Sequence, residues 1–104
     1  MSASGSSLEA LTQDYRTGFL RYLPHRSEAA MASGYELGRR AAAGGVSLLD
    51  LVHAHHLVLG EVLAEQPAPD PRELTAAAGN FLTEVLSTFE MAHRVHADRT
   101  RQQP

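Results

Sequence analysis

The sequence contains no cysteine, and no uninterrupted apolar run in it is long enough to cross a bilayer. The lack of cysteine excludes a disulfide framework, a thiolate zinc site and a cysteine nucleophile, and it favours a reduced, cytoplasmic location. A membrane-spanning helix needs about 18 or more apolar residues, and the N-terminus also lacks the charged and apolar regions of a signal peptide. We therefore expect a soluble protein with no membrane partner.

Basic residues are also scarce, since nine arginines and no lysine stand against twelve acidic residues, for a formal net charge of -3. A nucleic-acid-binding domain would carry a clustered basic excess, so this function is disfavoured. At 104 residues the chain is expected to be one domain, too short for an enzyme with separate cofactor and substrate halves. No catalytic triad spacing, phosphate-binding loop or paired carboxylates stand out, so we predict no catalytic residues, no cofactor and no enzyme activity.

The first half of the chain predicts two helices. Ser6 and Glu9 form a capping box that is expected to start the first helix, which Pro24 ends. Its apolar stripe is Leu8, Leu11, Tyr15, Phe19, Tyr22 and Leu23. Ser27 is expected to cap a second helix that ends at the Gly44-Gly45 pair. This helix is rich in small residues, including Gly34 and Gly38, and small residues permit a close contact between helices.

The second half predicts two more helices. Ser47 with Asp50 opens the third, which is expected to run to about Glu65 with one apolar face. That face consists of Leu48, Leu51, Val52, His55, Leu59, Val62 and Leu63. An N-cap, a proline and a capping-box glutamate at residues 70–73 start the fourth helix, whose apolar face is Leu74, Ala78, Phe81, Leu82, Val85, Phe89, Ala92 and His96.

The fourth helix is predicted to be longer than the bundle. From Pro71 to Arg101 it would rise about 45 Å, against about 28 Å for the third helix, so its C-terminal end should extend past its neighbours. Two interpretations stay open, a frayed end or a connector to another domain or subunit. We therefore predict an all-α four-helix up-down bundle with a long C-terminal helix, in which residues 1–6 are a disordered tail, 7–101 the helical interaction domain and 102–104 a C-terminal tail.

Six histidines in so short a chain raise the possibility of a metal or ligand sensor. The residues with ligand-like spacing are His53, His56, Glu90 and His93. In an up-down bundle, however, the two pairs are offset by about 15 Å along the axis, which is too far to share one ion. We therefore predict no metal within one chain, and a site shared across a dimer stays open. His55, on the apolar face, is expected to be a core histidine with one hydrogen bond.

An interaction surface is the alternative role for the third helix. A strip beside its apolar face is neither fully polar nor fully apolar, as at protein interfaces, although a solvated shoulder of the core would look the same. The candidate partner or dimer surface is Leu49, Val52, His53, His56 and Gly60. Candidate packing positions between the second and fourth helices are Tyr35, Gly38, Phe89 and Met91.

Several segments together resemble the N-terminal domain of RsbU-type phosphoserine phosphatases. They are Tyr35-Glu-Leu-Gly-Arg-Arg-Ala41, Gly45-Val-Ser-Leu-Leu-Asp-Leu-Val52, His55-His56 and Phe89-Glu-Met-Ala-His-Arg94. The resemblance extends from about Leu8 to His96. It implies a helical module that forms a homodimer, binds an activating partner such as an RsbT-like switch kinase, and controls an attached PP2C-type phosphatase in stress or sigma-factor signalling. No phosphatase domain follows in this sequence, so we expect an excised regulatory domain or a stand-alone relative.

Overall fold

The computed structural model describes the backbone of residues 3–65, 67 and 69–102, and the side-chain surroundings of residues 8–65, 67 and 69–95. The chain forms four helices, α1 (Ala3–Tyr22), α2 (Glu28–Ala43), α3 (Leu48–Leu63) and α4 (Pro71–Gln102). Over the residues described, there is no β-strand. The predicted all-α four-helix fold is therefore confirmed.

Side-chain caps fix where three of the helices begin. The hydroxyl of Ser27 accepts a hydrogen bond from the Ala30 amide at 3.1 Å, and Ser47 accepts one from the Asp50 amide at 3.1 Å. At the start of α4, the Asp70 carboxylate accepts from the Arg72 amide at 2.9 Å, and Pro71 occupies the first helical position. These bonds satisfy amides that have no partner inside the helix, so the three predicted starts are confirmed.

Two predicted capping details are wrong. Helix α1 begins at Ala3, before the predicted cap at Ser6, because residues 3–5 include no proline that would stop the helix from extending backwards. Glu73 does not return to the backbone of the α4 cap, because its carboxylate lies 3.8 Å from the guanidinium of Arg26 in the α1–α2 loop. Here a tertiary ion pair replaces the local capping box.

The end of α2 is a glycine-dependent turn. Gly45 has a φ of 73°, in the left-handed region that a residue with a Cβ adopts at a cost. Its amide donates to the Ala42 carbonyl at 3.3 Å, and the Val46 amide donates to the Ala41 carbonyl at 3.0 Å. This is the Schellman arrangement, which closes the last turn of a helix. The predicted glycine stop is therefore correct, and α3 begins three residues after it.

The helices surround one aromatic core. Helix α4 packs most extensively on α2, α1 contacts both α2 and α3, and no close contact joins α2 to α3 within the described chain. The fully buried ring of Phe81 on α4 lies 5.2 Å from the ring centroid of Tyr15, 5.6 Å from Phe19 and 5.7 Å from Tyr22. The aromatic stripe predicted for α1 thus meets the stripe predicted for α4.

Helix α4 continues beyond this core. Its last buried side chain among those described is Phe89, whereas the helix runs on to Gln102. At 1.5 Å per residue the segment after Phe89 adds about 20 Å. With 32 residues, α4 is twice as long as α3, which has 16, so the predicted long C-terminal helix is confirmed.

Within the described residues, none of the four helices is both long enough and apolar enough to span a membrane.

Candidate functional site

Helix α3 presents a different face to the core from the one that its leucines predict. Its buried side chains are Leu51, Ala54, Val58 and Val62. Leu48 and Leu63, which the apolar stripe places inward, are 51% and 46% exposed, and Val52, which was predicted both on that stripe and on the interaction surface, is 41% exposed. The inward prediction was wrong at these positions because α3 is apolar on most of its circumference, so the stripe does not single out one inward side.

The outward residues of α3 form one surface, which we call the α3 surface. It consists of Leu48, Leu49, Val52, His53, His56, Leu57, Gly60 and Leu63, all of them exposed. Leu49 is the most exposed large apolar residue described, at 78%. The five residues predicted as a partner or dimer surface therefore lie together on the outside of the molecule, and Leu48, Leu57 and Leu63 extend them.

The α3 surface carries no formally charged side chain. The only exposed charged residue of α3 is Glu61, which faces α1. There the Arg16 guanidinium donates two hydrogen bonds to the Glu61 carboxylate, at 2.8 and 2.9 Å. These bonds lower the pKa of Glu61, so the carboxylate stays ionised and paired at neutral pH. Nothing local in the sequence signals this pair, because its members are 45 residues apart.

A second polar link joins α1 to α3 from inside the core. The phenol of Tyr15, 1% exposed, lies 3.1 Å from Nδ1 of His55, within hydrogen-bond distance. Burial raises the pKa of Tyr15, so the phenol stays neutral. Burial and the adjacent His56 lower the pKa of His55, so its imidazole also favours the neutral form. The predicted hydrogen bond of His55 is present, with a tyrosine of another helix as its partner, but the imidazole is half-buried and lies at the edge of the core.

The four candidate packing positions lie along the contact between α2 and α4. Gly38 is buried, and a Cβ at this position would lie 2.5 Å from the Val85 carbonyl oxygen. Phe89 is 7% exposed, whereas Tyr35 and Met91 are 48% and 66% exposed at the edge of the contact. Gly38 and Phe89 thus belong to the interior, and the other two line an open groove.

Two grooves flank the last turns of α4 that pack on the bundle. One lies between α2 and α4 and is lined by Tyr35, Arg39, Ala42, Ala43, Thr88, Met91, Ala92 and Val95. The other, of about 590 Å³, lies between α4 and the α2–α3 loop and is lined by Ala42, Gly45, Val46, Ser47, Leu48, Leu86, Phe89, Glu90 and His93. Leu48 belongs to both the second groove and the α3 surface. Sequence reasoning missed the grooves, because they depend on how α2, α4 and the loop meet.

The residues with metal-like spacing are engaged separately. His93 stacks on the ring of Phe89 at a centroid distance of 5.7 Å, and Glu90 accepts a hydrogen bond from Arg94 at 3.0 Å. His53 and His56 lie on the α3 surface instead. In the part of the chain that the structure describes, no group of three or more potential ligands is close enough to hold a metal ion.

The fold and the α3 surface together define an all-α domain whose most distinctive feature is an uncharged, apolar exterior face. The sequence matches the model of the family described as phosphoserine phosphatase RsbU, N-terminal domain, over residues 13–92. The chain belongs to this family, as its sequence motifs predict, and the family is that of a regulatory N-terminal domain. Neither the search of curated proteins nor the search of solved structures found a match.

Proposed function

We propose that this domain is a non-catalytic regulatory module that forms a homodimer through the α3 surface, binds an activating protein and controls a PP2C-type phosphatase through α4. The pathway would be stress or sigma-factor signalling in a bacterial cytoplasm. Membership of the RsbU N-terminal family supports the regulatory class. The observation that carries the dimer is the exposed, uncharged α3 surface.

A second copy of the chain is the occupant that suits the α3 surface. In a dimer with two-fold symmetry the same patch meets itself, so a charge close to the two-fold axis faces its own like-charged copy. The α3 surface avoids this repulsion, since its only polar side chains are His53 and His56. The leucine and valine side chains of this surface, which are 41–78% exposed, would be removed from water in such a pairing. This burial of apolar surface is the main favourable contribution to association.

The activating partner, an RsbT-like kinase by family resemblance, is assigned to the groove between α2 and α4. Tyr35, Met91 and Val95 give this groove exposed apolar contacts, and Arg39 adds a charge that suits a partner other than a second copy. The groove also adjoins the segment of α4 that continues past the bundle. A protein bound there would contact the helix that leads away from the domain and could change its orientation.

Two substitutions separate these assignments. Leu49→Glu would bury a carboxylate in the dimer interface, so we expect self-association to weaken by at least about tenfold, equivalent to roughly 1.4 kcal/mol. Met91→Glu is the matched control, an exposed apolar residue of another helix changed to the same side chain. Sedimentation velocity of each variant measures self-association, and far-ultraviolet circular dichroism checks that both stay helical.

Titration with an RsbT-like kinase completes the test. We expect Met91→Glu to weaken kinase binding and to leave the dimer intact, and Leu49→Glu to do the reverse. If Met91→Glu dissociates the dimer and Leu49→Glu does not, the two surfaces are assigned the wrong way round. A dimer that neither substitution affects would contradict the assignment of the α3 surface.

A further inference from the structure

Three of the six histidines lie within four consecutive residues of α3, and they point in two directions. His53 and His56 are exposed on the α3 surface, whereas His55 faces Tyr15 in the core. Residues three apart on a helix have Cβ atoms about 5–6 Å from one another, so the two exposed imidazoles are neighbours. The α3 surface is therefore uncharged only while both of these imidazoles are neutral.

The charged groups around the α3 surface form no ion pair with His53 or His56 in the described chain. Helix α1 contributes Arg16, whose charge is already paired with Glu61, and the neutral phenol of Tyr15. Asp50, three residues before His53 on α3, is a half-buried carboxylate, and α4 contributes Glu90 and His93 at the groove beside Leu48. Within the described part of the chain, each ion pair joins an arginine to a carboxylate, and none includes a histidine.

We infer that protonation of His53 and His56 dissociates the dimer formed by the α3 surface, so that the assembly of this regulatory module is sensitive to pH. This inference rests on the proposed self-association. His56 lies near the middle of α3, which runs from Leu48 to Leu63, so a two-fold axis through the centre of the surface brings the imidazoles of both copies together. Protonation then places up to four like charges in an interface that excludes water, where unpaired charge is costly.

Dissociation would precede unfolding as the pH falls. An ordinary imidazole titrates near pH 6.5, within the physiological range. His55 keeps its neutral form to lower pH, because burial and His56 lower its pKa. The hydrogen bond between Tyr15 and His55 is therefore expected to persist when the pH is lowered moderately, and the expected product is a folded monomer.

The experiment is sedimentation equilibrium of the untagged 104-residue chain between pH 8.0 and pH 5.5. We expect the dissociation constant to rise by at least about tenfold over this range. The sequence pI is about 6.0, and proteins associate more readily as their net charge approaches zero. The expected weakening of self-association at low pH is thus opposite to what the approach to the pI alone would cause. Circular dichroism at each pH tests whether the monomer is folded.

Variants assign the effect to the exposed pair. H53Q/H56Q keeps polar, neutral side chains, and we expect it to associate at both pH values with little change. H53L/H56L serves the same purpose if glutamine itself weakens the contact. His93→Gln removes an exposed histidine outside the α3 surface and should keep the full pH dependence.

The possible failures can be told apart. A chain that is monomeric at pH 8.0 contradicts the proposed dimer and this inference with it. A dimer that persists at pH 5.5, or one whose pH dependence is unchanged in both double variants, overturns the inference and leaves the proposed function standing.

Discussion

The contact between α2 and α4 and the outward surface of α3 differ in the size of the side chains that form them. Between α2 and α4, glycine allows the backbones to meet so closely that a Cβ at Gly38 would lie 2.5 Å from the Val85 carbonyl oxygen. On α3, leucine and valine project from the molecule, and Leu49 is 78% exposed. The smallest side chains thus lie where packing is tightest, and large apolar side chains lie where the described chain leaves them 41–78% exposed.

The comparison shows which apolar residues the fold itself uses. Phe81 fits between glycines of two helices, since a Cβ at Gly18 or Gly34 would lie 3.1 or 3.2 Å from its ring. Phe81 is therefore part of the hydrophobic core that stabilises the fold. The α3 surface has no comparable partner within the described chain, and an exposed apolar patch on an otherwise polar protein commonly marks an interface.

The largest effect should come from Phe81→Ala. Truncation of a fully buried aromatic side chain costs about 3–5 kcal/mol, through lost burial and the cavity that remains. Leu49→Ala on the α3 surface is the comparison, with an expected change within about 0.5 kcal/mol for the monomer. Urea unfolding at low protein concentration measures both free energies of unfolding. Similar losses for the two variants would mean that Leu49 is part of the fold.

An intermediate effect is expected from Gly38→Ala. The added methyl group meets the Val85 carbonyl oxygen and the Thr88 Cβ at 2.5 and 2.8 Å, so the α2–α4 backbones must separate. Overpacking of this kind costs about 1–3 kcal/mol.

Gly79→Ala on α4 is the matched control, because nothing lies within 4 Å of its Cβ position and alanine is the better helix former. We expect Gly79→Ala to stabilise the domain by roughly 0.5–1 kcal/mol. Thermal unfolding shows whether each variant is stabilised or destabilised relative to the parent. A stabilised Gly38→Ala variant would contradict the close contact between α2 and α4.

The smallest effect should be an acid-dependent loss of stability at the α1–α3 contact. The pKa of His55 is lowered in the folded protein, whereas an imidazole in the unfolded chain titrates near 6.5. The stability from neutral His55 is therefore fully present above about pH 6.5 and falls as the pH drops below it. Urea unfolding in a Leu49→Glu background between pH 7.5 and 5 measures the slope without a contribution from association.

His55→Gln is the variant that checks this assignment. It removes the titrating group, so we expect a smaller loss of stability on acidification than in the parent. Tyr15→Phe keeps the ring but removes the hydroxyl, and should lower stability at pH 7.5 because Nδ1 of His55 loses its partner. An unchanged slope in His55→Gln would exclude His55 as the source.

Much of the helical framework could be read from local sequence chemistry. Ser27, Ser47 and Asp70 each cap a helix through a side chain and an amide two or three residues away. Such contacts form within one turn of backbone, so they depend little on the rest of the molecule. The α1 and α4 stripes were also predictable, because each of these helices has one apolar side and one polar side.

The orientation of α3 could not be predicted in the same way. Leucine, valine and histidine occupy most of its circumference, so periodicity does not single out one inward face. Only the packing against α1 and α4 selects Ala54 and Val58 for the core and leaves Leu48, Val52 and Leu63 outside. The Ser6 cap failed for a related reason, because a capping pattern can also lie inside a longer helix.

The sequence alone determined the number of helices, most of their boundaries, the length of α4 and the RsbU N-terminal family. These properties follow from caps, glycine and proline stops and motif order, all of which act over a few residues. The tertiary structure alone decided that Leu48 and Leu63 face outward, that Tyr15 hydrogen-bonds to His55, and that Arg16 pairs with Glu61 across 45 residues. Such contacts depend on the relative placement of whole helices, which is set by how their side chains pack together and not by local propensity.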